Sequence, residues 1–79
     1  MERTEIFNKL NEVFRDVFDD DSITVNENTT SSDIEDWDSL EQIHLVVGIE
    51  KKFGIKFVLD EVTGLKNVGD MADLVAKKL

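Results

Sequence analysis

Cysteine does not occur among the 79 residues of this sequence. No disulfide can brace the fold, no Cys-ligated metal site can form, and the polypeptide has no thiol of its own. Proline is also absent, which suits helices joined by loops made flexible in other ways. Basic residues are scarce: 9 Lys and Arg stand against 18 Asp and Glu, a net charge of −9. Such a surface repels nucleic acid and anionic membranes and speeds encounters with basic protein surfaces, although plain solubility accounts for the charge equally well. Long apolar runs are missing too. The opening "MERTEIFNKL" has no stretch of signal-peptide length and no segment is long enough to span a bilayer, so a cytoplasmic location without membrane insertion is expected.

What is present argues for a folded chain. Hydrophobic residues make up 41% of the sequence, too many for an acidic tail. The length fits one small domain over residues 1–79, with a small core and modest stability. Residues 3–18 read as an amphipathic helix, with Ile6, Leu10, Val13, Phe14 and Val17 at helical spacing and Thr4 as a candidate cap. "DDDSITVNENTTSSDIEDW" follows, a long polar loop anchored by Ile23, Val25 and Ile34. Connections of this length are uncommon in compact domains and often functional.

The clearest helix covers residues 39–53. Periodicity puts Leu40, Ile43, Val46, Val47, Ile49 and Phe53 on its apolar face, with Leu45 at the margin. Glu41, His44, Gly48, Lys51 and Lys52 gather on the opposite side, and Gly54 is a plausible stop. "DEVTGLK" holds a short helical turn, and a final helix begins at Asn67, a good N-cap, with Met71, Leu74, Val75 and Leu79 as its buried stripe. The expected fold is therefore all-α: a small four-helix bundle of three longer helices and one short one, with a long loop between the first two.

The chemistry available to this chain is narrow. Ser39 opens the second helix, but His44, the single histidine, lies well over 100° around that helix from it, so no serine–base pair forms. No Gly-x-Ser-x-Gly elbow surrounds Ser39 either, and the chain is too short for much of a substrate pocket. No catalytic residue is assigned. "DDDSITVNENTT" has the acidity of a calcium loop but lacks the glycine of its sharp turn and carries Ile23 where an oxygen ligand is needed, so no dedicated metal site is expected. Two capping arrangements remain open at the start of the helix: Asp38 with Glu41 three residues on, or Ser39 with Gln42 three residues on.

"DSL" opening an apolar helix, after a long polar loop, in a small acidic helical domain, resembles the acyl carrier protein family. The resemblance runs through "EKKFGIKF" at the end of that helix to "NVGDMADLV" at the start of the last one and so covers nearly the whole chain. It implies that Ser39 carries a 4′-phosphopantetheine arm, attached from coenzyme A by a separate phosphopantetheinyl transferase. It further implies that acyl groups ride on the arm's thiol as thioesters, between acyl-loading and acyl-transfer enzymes of fatty acid, polyketide or related biosynthesis. On this reading the protein is not an enzyme. Asp36, Asp38, Leu40, Glu41 and His44 form its docking surface, and Val46, Val47 and Ile49 contribute an apolar lining for bound cargo. A monomer is expected.

The chain departs from the family pattern on the second helix. Fatty-acid carriers are strongly acidic there, whereas His44 and Lys51 occupy positions that are usually acidic and Lys52 adds a further positive charge. The mixed face has two readings, surface drift with i,i+4 pairing between Glu and Lys helping solubility, or a dedicated partner whose surface is not uniformly basic, and the second is favoured. Trp37, the single tryptophan, reads as a staple at the helix start, but residues 41 and 42 are polar, so it is expected to cover Leu40 or the loop. Two other readings stand beside the acyl carrier: an aminoacyl or peptidyl carrier loaded by an adenylating enzyme, and an unmodified acidic helical module that binds a basic partner.

Overall fold

Four α-helices joined by one long and two short connections make up the computed structural model, which describes residues 1–79. Helix α1 spans Arg3–Phe18, α2 Ser39–Phe53, α3 Leu59–Thr63 and α4 Val68–Lys78, and the long loop holds a single 3-10 turn at Ser31–Asp33. No strand forms, and the all-α bundle of three longer helices and one short one is what the chain adopts.

The expected stripe on α1 is buried, with Ile6, Leu10, Val13 and Phe14 at its centre. Thr4 is not its cap. The helix starts earlier, at Arg3, with Glu2 as N-cap accepting the Ile6 N–H at 3.1 Å, so Thr4 already lies within the first turn. That start brings the Arg3 guanidinium within 2.9 Å of Asp73 on α4 and makes it a bidentate donor to Glu27 in the loop. At the other end Asp19 adopts the left-handed conformation (φ 50°), which aspartate tolerates better than most residues, and the Asp20 N–H closes back on the Arg15 carbonyl at 3.0 Å.

Against α1 pack Leu45 and Ile49 of α2, Val68, Met71, Ala72 and Val75 of α4, and Val25 of the loop. Fully burying one such aliphatic side chain stabilises the fold by about 1.5–3 kcal/mol. Leu79, expected in the α4 stripe, lies past the last helical residue and is exposed.

Helix α2 is rolled relative to the expectation from periodicity. Leu45, placed at the margin, is fully buried, while Leu40 and Ile43 are 61% and 60% exposed. Gly48, placed on the outer side, is where α2 meets α1: a Cβ there would lie 2.9 Å from Val13 Cγ1. The missing side chain lets the two helices approach, and the approach carries Leu45 and Ile49 inward.

Polar side chains hold the loop to the bundle. Asn11 is buried on α1, donates to the Phe7 carbonyl at 2.9 Å and accepts the Val25 N–H at 2.6 Å. Arg15 Nε donates to the Ile23 carbonyl at 2.7 Å. Further on, the loop carbonyls of Thr29 and Glu27 accept the first N–H groups of α4, from Val68 at 2.9 Å and Gly69 at 3.0 Å. These donors would otherwise lack partners inside the helix. Ile23 and Ile34 are half-buried and Val25 buried, the anchoring expected of them.

Candidate functional site

The start of α2 settles the capping question in favour of Asp38. Its backbone is extended (φ −112°, ψ −172°), and its Oδ1 accepts the Glu41 N–H at 2.9 Å while its carbonyl accepts the Gln42 N–H at 2.9 Å. Ser39 is the first helical residue and is exposed. Because the neighbouring carboxylate does the capping, the Ser39 hydroxyl is left at the surface, at the positive end of a 15-residue helix dipole.

A second bridge spans the same turn. The Trp37 indole N–H donates to Gln42 Oε1 at 2.7 Å. Its ring stands edge-on to Phe14 of α1, with centroids 5.2 Å apart and planes at 77°, and lies 6.4 Å from Phe18. Trp37 therefore packs across to α1 rather than over Leu40, which remains exposed. The polar residue at position 42, which argued against a staple, is its hydrogen-bond acceptor.

Beside Ser39 opens a groove of about 910 Å³ between α2 and α3. Ile43, Val46 and Val47 of α2 face Val58, Leu59 and Val62 across it, and Met71 of α4 also borders it. Asp38, Ser39, Trp37 and Gln42 form part of its wall. Val46 and Val47 thus line it as expected. Ile49 does not: it is 1% exposed, turned into the core by the roll of α2.

The walls of the groove are tied in place by carboxylates. Glu50 Oε2 accepts the Phe57 N–H at 2.8 Å, fixing the connection that turns at Gly54 (φ 67°). Glu61 accepts from Lys78 at 2.9 Å and from the Val58 N–H at 2.9 Å, joining α3 to α4. The Lys78 ammonium, and after it the Val58 N–H, hold the Glu61 carboxyl below the usual glutamate range.

Of the residues expected at a docking surface, Asp36, Asp38 and Leu40 are exposed around Ser39. Glu41, two residues after Ser39, is half-buried, and His44 Nδ1 lies 2.6 Å from its Oε1. The two lysines of the mixed-charge helix lie in the last turn of α2, where the dipole favours cations. Lys52 cross-links the bundle, with Nζ 2.8 Å from Glu12 Oε2 on α1, and this contact lowers the Glu12 carboxyl. The Trp37–Gln42 pair and the Val58–Leu59 rim were not foreseen. "VLD" after an extended segment carried a signal for the rim, since two apolar residues there had no partner in the expected core.

The arrangement fits a phosphopantetheine group: an alcohol relieved of capping, at a helix N-terminus suited to a phosphate, on the rim of an apolar groove.

Comparison with known proteins agrees. Residues 8–75 match the family described as "Phosphopantetheine attachment site". The acyl carrier protein of Lactobacillus acidophilus is 32% identical over 75 residues, covering 95% of this chain and 94% of that protein. That of Acidothermus cellulolyticus is 36% identical over 76 residues, covering 96% of this chain and 90% of its own length. Among solved structures, the holo acyl carrier protein from Geobacter metallireducens superposes with a TM-score of 0.86 at 51% identity, over 92% of this chain and 84% of that one.

Proposed function

The chain belongs to the phosphopantetheine-attachment family of acyl carrier proteins, and from that premise we propose that Ser39 is the residue that bears the family's 4′-phosphopantetheine group. The observation that carries this reading is the division of labour at the start of α2: Asp38 caps, and Ser39 stands free beside the groove.

Loading calls for a separate transferase. Ser39 Oγ attacks the phosphorus that joins the pantetheine phosphate to the rest of coenzyme A. Its proton passes to a base of the transferase, and adenosine 3′,5′-bisphosphate leaves with the bonding electron pair. When bound, the group supplies the thiol that a cysteine-free chain lacks, and holds an acyl group there as a thioester. The α2 N-terminus favours the phosphodiester charge. Asp36 and Asp38 oppose it, and their better use is as contacts for a basic transferase or its metal. Leu40, Glu41 and His44 complete the docking surface. Ile43, Val46, Val47 and Leu59 offer apolar cargo a wall away from water.

On this reading the chain is a single carrier domain that catalyses nothing by itself. It works as a cytoplasmic monomer between acyl-loading and acyl-transfer enzymes of fatty acid, polyketide or related biosynthesis. Incubation with coenzyme A and a permissive phosphopantetheinyl transferase tests it, with intact mass as the readout. The expected result is one added phosphopantetheinyl group on the wild type and none on Ser39→Ala. An unmodified wild type sinks the reading and leaves an acidic interaction module. Offering the loaded protein to acyl-activating and aminoacyl-activating enzymes then separates the two carrier classes by mass.

A further inference from the structure

Ser39 is held between two side-chain bridges. One is the Asp38 cap on the Glu41 N–H. The other joins Trp37, two residues before the serine, to Gln42, three residues after it. The cap is local to the helix, whereas the second bridge is referenced to the core. The half-buried Trp37 ring rests edge-on against Phe14, which is 0% exposed, and the Trp37 backbone N–H donates to the Ile34 carbonyl at 3.2 Å. Gln42 in turn sits in the first turns of α2 and in the groove wall beside Ser39.

We propose that the Trp37–Gln42 bridge positions Ser39: it fixes the direction in which the serine hydroxyl leaves the α2 corner by tying that corner to the aromatic cluster of α1. The inference rests on Ser39 being the attachment point. Trp37 and Gln42 are positioning residues and touch no reacting atom. In-line displacement at phosphorus needs the attacking oxygen held in one direction, and small misplacements of a reacting group slow the chemical step more than they weaken docking. None of the docking residues Asp36, Asp38, Leu40, Glu41 and His44 supplies an atom to the bridge, so breaking it acts on kcat more than on KM.

The test uses the unmodified full chain as Gln42→Leu, which removes the acceptor, and Gln42→Glu, which keeps an acceptor oxygen in reach. Trp37→Phe removes the donor while retaining a ring against Phe14, and a Trp37→Phe/Gln42→Leu double variant completes the set. In nitrogen-15 NMR spectra the Trp37 indole proton shifts and exchanges faster in Gln42→Leu, and stays close to wild type in Gln42→Glu. In transferase assays with coenzyme A, Gln42→Leu and Trp37→Phe lose about fivefold in kcat with KM changed less than about twofold. The double variant is no slower than either single one, and Gln42→Glu recovers the rate. Wild-type kcat in either single variant overturns the inference. So does a loss confined to KM, losses that multiply in the double variant, or Gln42→Glu as slow as Gln42→Leu. A wild-type chain that gains no mass overturns the attachment reading, and this inference falls with it; a chain that loads normally while Gln42→Leu keeps pace overturns this inference alone.

Discussion

The α1–loop–α4 side and the α2–α3 side of this bundle are built from similar residues to opposite ends. On the first, apolar side chains are buried and polar ones are satisfied: Asn11 has both a donor and an acceptor partner, and Arg3 joins Glu27 to Asp73. On the second, Ile43, Val47, Val58 and Leu59 remain exposed around the groove between α2 and α3, and Leu40 is exposed next to Ser39. A small domain has little apolar surface to spare. Leaving five large side chains out of the core on one side is therefore a cost in stability that the closely packed side must offset.

The sharpest way to break this contrast is paired truncation. Leu10→Ala, on the closed side, is expected to cost about 2–5 kcal/mol in urea unfolding, whereas Ile43→Ala, on the open side, should change stability by less than about 0.5 kcal/mol. Equal losses at the two sites would show that the groove is part of the stabilising core.

Gly69→Ala tests the seam between loop and α4. An added Cβ would lie 2.6 Å from the Glu27 carbonyl oxygen, and the same carbonyl accepts the Gly69 N–H. Relief must come from backbone movement, so a loss of about 1–3 kcal/mol is expected despite alanine's better helix propensity. A gain in melting temperature would contradict the seam.

At the α2 corner the two adjacent residues should separate. Asp38→Ala is expected to cost about 1 kcal/mol through the lost cap. Ser39→Ala, which removes no cap, should stay within about 0.5 kcal/mol by the same unfolding measurement while abolishing modification. The reverse order of stabilities would return the capping role to the serine.

The smallest expected effect is in acid. The Arg3 guanidinium holds the Glu27 carboxyl below the usual glutamate range, and Glu27 pushes the guanidinium up in return. A depressed carboxyl adds stability above the glutamate value of the unfolded chain, about 4.3, and loses it as pH falls through the lower folded value. The melting temperature of Glu27→Gln should therefore decline less than that of the wild type below about pH 4.3. Because both partners are solvent-exposed, the difference should be small and shrink with added salt.

Much of this architecture is legible in the sequence, where one interaction dominates. Helical spacing locates α1 from Ile6 to Phe14, because a buried stripe must repeat with the helix. Asn67 and Gly54 mark boundaries because their local chemistry suffices: Asn67 caps α4 through the Asp70 N–H, and Gly54 takes the left-handed turn after α2. The roll of α2 was not legible. Its apolar residues occupy most of its circumference, and only the approach of α1 at Gly48 decides which of them turn inward. Asn11 reads as one more polar residue among charges until the loop folds over it. At the site, Ser39 was legible from "DSL" in its context, but the Trp37–Gln42 bridge depends on where α1 places Phe14, which no local pattern encodes.

The carbonyls of Glu27 and Thr29 that complete the first turn of α4 have a consequence for assembly. Those groups are some forty residues upstream of the helix they finish, so neither the loop nor α4 can reach its final state alone. A nascent chain that has exposed α1 and α2 but not α4 keeps the α1 ties at Ile23 and Val25 but lacks the α4 donors to the Glu27 and Thr29 carbonyls. Folding should then be all-or-none, with hydrogen-exchange protection appearing simultaneously in residues 25–29 and 68–75.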